Sequence, residues 1–307
     1  MSAEEKPLSP WLLAVWPGMG GVAISAGYYL MAKLGMHLLV ELPAAEFFDH
    51  EHIEVRDGLV QRKRLPRSRL FLWNDPAHRH DLMLFIGEAQ PPARGGDFCR
   101  RLIERASAFG VTRVFTFAAM ATSMRPSHPP RVFGAAIDRE TLASFRSLGV
   151  LPLESGTISG LNGVLLGAAS AVGLPGGCLL GEIPQVFSQI PFPKAALAVL
   201  ERFTTLAGIT LDLSELRTHA GTVERTLETF LARMEGATGE TEAALGIGPD
   251  EDSSPPRRDS PDRRRIDALF EQARGDRSRA YELKRELDRL GLFAEYEDRF
   301  LDLFKEP

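Results

Sequence analysis

Gly18-Met19-Gly20-Gly21-Val22-Ala23 matches G-x-G-x-x-A, with an apolar run before it and Glu41 at the end of the next apolar run. In a dinucleotide-binding unit such glycines let the backbone approach a pyrophosphate, and an acid roughly 20 residues on binds the ribose. Pro17 removes a backbone donor where the loop begins. The residues therefore leave two readings open, a nucleotide cradle and a tight structural turn.

Glu41, Glu88 and Glu182 each follow an apolar run within two residues of its end. In an open parallel sheet that edge is where ligands bind, so the three acids are expected to share one crevice with the Gly18, Gly20 and Gly21 loop and with Gly160, Asn162 and Gly163. Two carboxylates there serve as acid and base only if their surroundings push their pKa values apart. The alternative is that each acid caps a loop amide or pairs with an arginine.

Asp49-His50-Glu51-His52 and His78-Arg79-His80-Asp81 carry metal-ligand residue types, but spacing fixes no third ligand, and no metal is expected. Gly156-Thr157-Ile158-Ser159-Gly160 has its serine at the wrong place for a nucleophile elbow, and no P-loop lysine follows a glycine cluster. Ser123 and His128 share a proline-rich loop suited equally to a pocket wall or a binding surface. No residue earns a catalytic assignment, no cofactor is expected, and the reading leans away from an enzyme.

These residues hang on a regular alternation. Trp11 to Trp16 reads as a strand, Val22 to Lys33 as a helix and Leu38 to Leu42 as a second strand, a βαβ unit of about 30 residues. Asp57-Gly58 marks a hairpin between Ile53–Val55 and Leu59–Arg62. Further strands are expected at 69–73, 82–86, 114–118, 132–137 and 178–183, with helices at 97–109, 138–148, 162–172, 193–206 and 214–234. An α/β fold with a mainly parallel, covered sheet follows. Glycines 156, 160, 163, 167, 173, 176 and 177 crowd one stretch, implying positive φ angles or close backbone approach.

The expected organisation is an α/β domain over 1–236, a charged linker over 237–265 and a helical extension over 266–307. The linker contains PDEDSSPPRRDSPDRRR, whose arginines read as solvated charge. Beyond it, Ile266, Leu269, Phe270 and Ala273 form one apolar stripe. Leu283, Leu287, Leu290, Phe293, Tyr296, Phe300 and Phe304 form another, interrupted near Gly291. Such a stripe must fold back, pair with itself or meet a partner.

Composition narrows the class. A 44% hydrophobic content supports a substantial core, and a net charge of −5 speaks against a nucleic-acid partner. Cys99 and Cys178 fall in a predicted helix and a predicted buried strand, so they read as buried thiols. The opening MSAEEKPLSP lacks a basic-then-apolar order, and the longest apolar stretch falls short of the about 20 residues that span a bilayer. A soluble cytoplasmic protein with no membrane partner is expected.

WPGMGGVA at 16–23, FIGEAQP at 85–91, HPPRVFGAA at 128–136, SGLNGVLLGAA at 159–169, CLLGEIP at 178–184 and the PFPKAALAVLE start at 191–201 together resemble the proteasome assembly chaperone 2 family. The resemblance spans about residues 10 to 215. It implies a three-layer α/β/α sandwich similar to nucleoside phosphorylases, without a dependable active site. It also implies a scaffold that self-associates, with a trimer as the expected assembly, and that binds a protein partner. The chain's Lys305-Glu306-Pro307 departs from the hydrophobic-Tyr-X tail of proteasome-binding members, so docking by that route is not expected. The alternative function is a nucleotide- or nucleoside-binding enzyme or sensor with its site at the strand carboxyl ends.

Overall fold

The computed structural model describes residues 8–49, 54–56, 58–61, 64–237 and 261–305. The His50-Glu51-His52 run, Asp57 and most of the expected linker lie outside these residues.

Eight strands form one sheet: β1 (Trp11–Val15), β2 (His37–Leu42), β5 (Ser68–Trp73), β6 (Leu82–Gly87), β7 (Arg113–Thr122), β8 (Val132–Ala136), β9 (Leu151–Pro152) and β10 (Gly176–Pro184). Their order is β2-β5-β6-β1-β7-β10-β8-β9. A separate antiparallel hairpin pairs β3 (Glu54–Arg56) with β4 (Leu59–Gln61). The helices are α1 (Val22–Leu34), α2 (Gly95–Ala108), α3 (Arg139–Ser147), α4 (Leu161–Ala171), α5 (Pro193–Ala207), α6 (Ser214–Ala237), α7 (Pro261–Gly275), α8 (Ala280–Arg289) and α9 (Phe293–Leu301).

Parallel pairing holds across the four central strands β6, β1, β7 and β10. The flanks join antiparallel, β5 on β6 and β8 on β10, so the sheet is mixed. Residues 74–81 join β5 to β6, too short a span for the crossover that a parallel pair requires. The expected βαβ unit is corrected in its pairing: β2 does not pair with β1 but lies at the sheet edge, with β5 and β6 inserted between them.

Strand alternation sorts the core into two layers. Leu13 and Val15 of β1, Leu84 and Ile86 of β6, and Phe115 and Phe117 of β7 face α1 and α5. Leu12, Ala14, Met83, Phe85 and Val114 face α2 and α4 on the other side. The glycines of β10 belong to this packing. A Cβ at Gly181 would press on Ala195 and Val199 of α5, and one at Gly176 would collide with the Val114 carbonyl. Helices thus cover both faces.

The C-terminal stripe folds back onto the first layer. Phe270, Tyr281, Leu283, Leu287, Phe300 and Phe304 are buried in the same core as Tyr28, Tyr29 and Phe71. Helix α7 begins at Pro261, so residues 261–265, expected in the linker, are helical. Proline suits a first helical position because its missing N–H has no intrahelical partner there. A second break, unforeseen in the sequence, separates α7 from α8 where the Asp276 side chain accepts from the Ser278 amide.

Candidate functional site

A cleft of about 580 Å³ opens beyond the carboxyl ends of β1 and β7. Its walls are Trp16, Gly18 and Met19, the run Ala118 to Ala121, the loop Ser155 to Gly160, and Gln90 and Asn162. None of its lining residues carries a formal charge.

Gln90 ties the two glycine regions together. Its Oε1 accepts from the Leu161 amide at 3.0 Å, and its Nε2 donates to the Pro17 carbonyl at 3.4 Å. Gly160 lies at φ 70°, and a Cβ there would come within 2.7 Å of Gln90 Oε1. Gly163, inside α4, faces the Ile158 carbonyl so closely that a Cβ would collide with it. Gln90 therefore dictates the glycine at 160, and the loop before α4 dictates the one at 163.

The Gly18 loop is a structural turn. Gly20 and Gly21 sit at φ 61° and 57°, left-handed backbone that glycine adopts at least cost. The Gly20 amide donates to the Ser188 carbonyl at 2.7 Å, and the Gly21 amide donates to the Gly18 carbonyl at 3.0 Å. The Gly20 carbonyl in turn accepts from the Phe192 amide at 2.8 Å. The Gly20 and Gly21 amides are thus committed within the fold. Glu41, on edge strand β2, stands three strands from β1 rather than beside it. The dinucleotide fingerprint is thus met in letters and not in geometry.

The three acids do not converge. Glu182 accepts from Thr122 Oγ1 at 2.7 Å and from the Arg131 amide at 3.0 Å and Nε at 2.9 Å. The Arg131 guanidinium holds its carboxyl down at about 2. Glu88 lies across the sheet, accepting from Arg64 at 2.5 Å, the Arg67 amide at 2.9 Å and Arg69 at 3.1 Å. Glu41 joins the same network through Arg69 Nε at 3.1 Å. Of the predicted crevice, Gly18, Gly160 and Asn162 line the cleft, Gly20, Gly21 and Gly163 shape its surroundings, and all three acids are held elsewhere by arginines.

In the second candidate cluster His78 is exposed and His80 is structural. His80 stacks on Trp11 at 4.2 Å and meets the Ala207 carbonyl at 2.9 Å, while Asp81 accepts from the Leu8 and Asp75 amides. Among the described residues no group of three metal-ligand side chains assembles. Burial pushes both the Cys99 and Cys178 thiols up to about 12.

Residues 12–231, the span that builds the sheet and both of its helical layers, match the PAC2 family. The chain belongs to the PAC2 family. Its relatives include an uncharacterized protein of Methanocaldococcus jannaschii, 27% identical over 215 residues that cover 69% of this chain and 79% of the relative. Among solved structures, the Mycobacterium tuberculosis proteasome-assembly chaperone homologue is 25% identical over 72% of this chain and 94% of its own, with a TM-score of 0.62. Pyrococcus furiosus PbaB, an archaeal proteasome activator, shares the fold at a TM-score of 0.63 and 24% identity, over 74% of this chain and 96% of its own.

Within this PAC2 domain, sequence reasoning missed Gln90, Arg131 and Arg69. Arg69 had a visible signal: an arginine inside the apolar run of a strand must find buried carboxylates, and Arg69 is only 1% exposed. Gln90 and Arg131 had none, because their partners are more than fifty residues away in the chain. Among the described residues no helix is long and apolar enough to cross a membrane.

Proposed function

We propose that this chain is a non-enzymatic α/β scaffold that associates with itself, as a trimer, and presents a surface to a protein partner in the cytoplasm. One observation carries the reading: Val186 and Phe230 are 69% and 53% exposed, and Met234 follows Phe230 one helical turn along α6 at 51%. Phe230 packs on Phe187, ring centroids 6.1 Å apart, so the turn after β10 and the end of α6 make one apolar strip. Contiguous exposed apolar surface of this kind marks interaction sites. The uncharged cleft lining and the arginine-bound acids supply no poised acid or base, which favours a scaffold over a catalyst. The chaperone and activator descriptions of the relatives point to a proteasome-type assembly as the class of partner.

Light scattering on the intact chain and on Phe230→Glu tests this reading. Association in the parent that falls in the variant, at unchanged melting temperature, supports it. A parent that is monomeric and also retains no specific protein in a pull-down rejects it.

A second reading rests on Asn162, whose Oδ1 is buried without a hydrogen-bond partner beside the cleft. With no cation in the walls, an uncharged ligand such as a nucleoside fits better than a nucleotide. Saturable thermal stabilisation of about 2–3 kcal/mol, expected near a hundredfold excess over Kd, by nucleosides and not by nucleotides would support it. The absence of any shift removes it.

A further inference from the structure

The family match ends at residue 231, and helices α7 to α9 lie beyond it, seated on α1 and β5 of the PAC2 domain. The face beneath α9 is aromatic with a basic rim. Tyr28 meets the ring edges of Phe293 and Phe300 at 5.2 and 5.7 Å, and Phe71 of β5 meets Phe304 at 6.4 Å. At the rim, Asp298 takes Arg64 Nε at 2.8 Å, Arg67 at 3.2 Å and Arg69 at 3.1 Å. Glu297 accepts from the Tyr28 hydroxyl at 2.8 Å.

We propose that this face is a docking surface for an acidic, aromatic-bearing amphipathic helix of a protein partner, and that α9 is its resident competitor. The proposal rests on the reading of the chain as a partner-binding scaffold and names where one partner binds. Charge and shape complementarity specify that partner. Aromatic anchors at 293, 300 and 304 bracket acids at 297 and 298, so the face selects a helix with aromatics on one stripe and acids opposite the three arginines.

When Asp298 leaves, the buried Arg69 still holds Glu41 and Glu88 at 3.1 Å each, so release strands no buried cation. Glu297 is disfavoured as an anion by its burial and by nearby Glu88, which loosens α9 on the acid side of its own contact. Leu290, Gly291 at φ 67° and Leu292 join α8 to α9, so α9 lifts on a three-residue joint and in doing so gives up the Arg299–Asp267 ion pair to α7 and the Phe293 contact with Lys284 of α8. A partner helix must displace α9, and its apparent affinity is its intrinsic affinity multiplied by the fraction of molecules in which α9 is already off.

The test uses the full chain and a fluorescent synthetic peptide with the sequence of residues 290–305. The parent should bind it weakly, and the full-length Phe300→Asp variant at least tenfold more tightly. A peptide carrying Asp298→Arg should lose that binding. Hydrogen exchange on the parent should show α9 opening more readily than α1 and α5. A folded Phe300→Asp chain with no gain in peptide affinity overturns the proposal. If that variant does not fold, hydrogen exchange decides, and α9 opening only together with α1 and α5 overturns it. Peptide binding reads this face alone, whereas the Phe230→Glu association test reads the scaffold, so either can fail without the other.

Discussion

Arg69 donates to Asp298 across 3.1 Å, joining the strand next to the sheet's edge to the helix that closes the opposite end of the chain's described course. The same guanidinium holds Glu41 and Glu88, so one side chain binds three carboxylates from three elements. Replacing Arg69 with methionine leaves Glu88 buried without its full set of cations. A loss of about 3–5 kcal/mol is expected on urea unfolding, the range for breaking a buried ion pair from one side. A loss below about 1 kcal/mol would show that Arg64 and Arg67 suffice.

Gly160→Val and Gly163→Val should each destabilise by at least about 1 kcal/mol, the first through its left-handed φ of 70° and the second through collision with the Ile158 carbonyl. Gly167→Ala is the contrast, because that glycine is helical and has open space around it. It should stabilise by up to about 1 kcal/mol. Thermal unfolding of the three variants checks the ordering.

Glu182 makes stability depend on acid. Its folded pKa is lowered to about 2 by Arg131, so its contribution is complete above the ordinary carboxylate range and is lost as pH falls toward 2. Glu182→Gln should be less stable than the parent at pH 7 by about 1–3 kcal/mol, a gap that narrows as pH drops. Denaturation midpoints across pH 3 to 7 read the difference. A gap independent of pH would mean that packing, not charge, holds this residue.

Glu297 acts with the opposite sign. Burial and neighbouring Glu88 raise its folded pKa, so the protonated form favours docking, and that stabilisation disappears as pH rises through the raised value. Glu297→Gln keeps the neutral form at every pH. At neutral pH its α9 amides should exchange more slowly than those of the parent, and equal rates would contradict the sign.

Cys99 and Cys178, both buried and both pushed up to about 12, should resist a thiol reagent in the native state. Titration with a chromogenic disulfide should show two thiols only after denaturant is added. Rapid native labelling would mean that the α2 or β10 layer opens.

The layered class was legible because it rests on local pattern. Leu12 to Val15 alternates between two faces, Val22 to Leu34 is apolar at helical spacing, and the helix expected over 138–148 is α3, with the Asp138 side chain accepting from the Thr141 amide as its cap. The glycine cluster from 156 to 177 implied positive φ or close backbone approach, and Gly160 has the first while Gly163 and Gly176 face backbone carbonyls. The shared crevice of Glu41, Glu88 and Glu182 was not legible. Strand order decides which strand ends are neighbours, and nothing in β2 states that β5 and β6 will separate it from β1.

By itself the sequence determined the family, the alternation of strands and helices, and an apolar C-terminal stripe that had to be buried, because each is written in side-chain periodicity and glycine spacing. Only the tertiary structure decided what these parts meet. It gave the Gly20 amide to the Ser188 carbonyl, gave the three acids to arginines, and laid α9 on Tyr28. Those pairings join residues far apart in the chain, and their energy depends on distance in space, which sequence spacing does not encode.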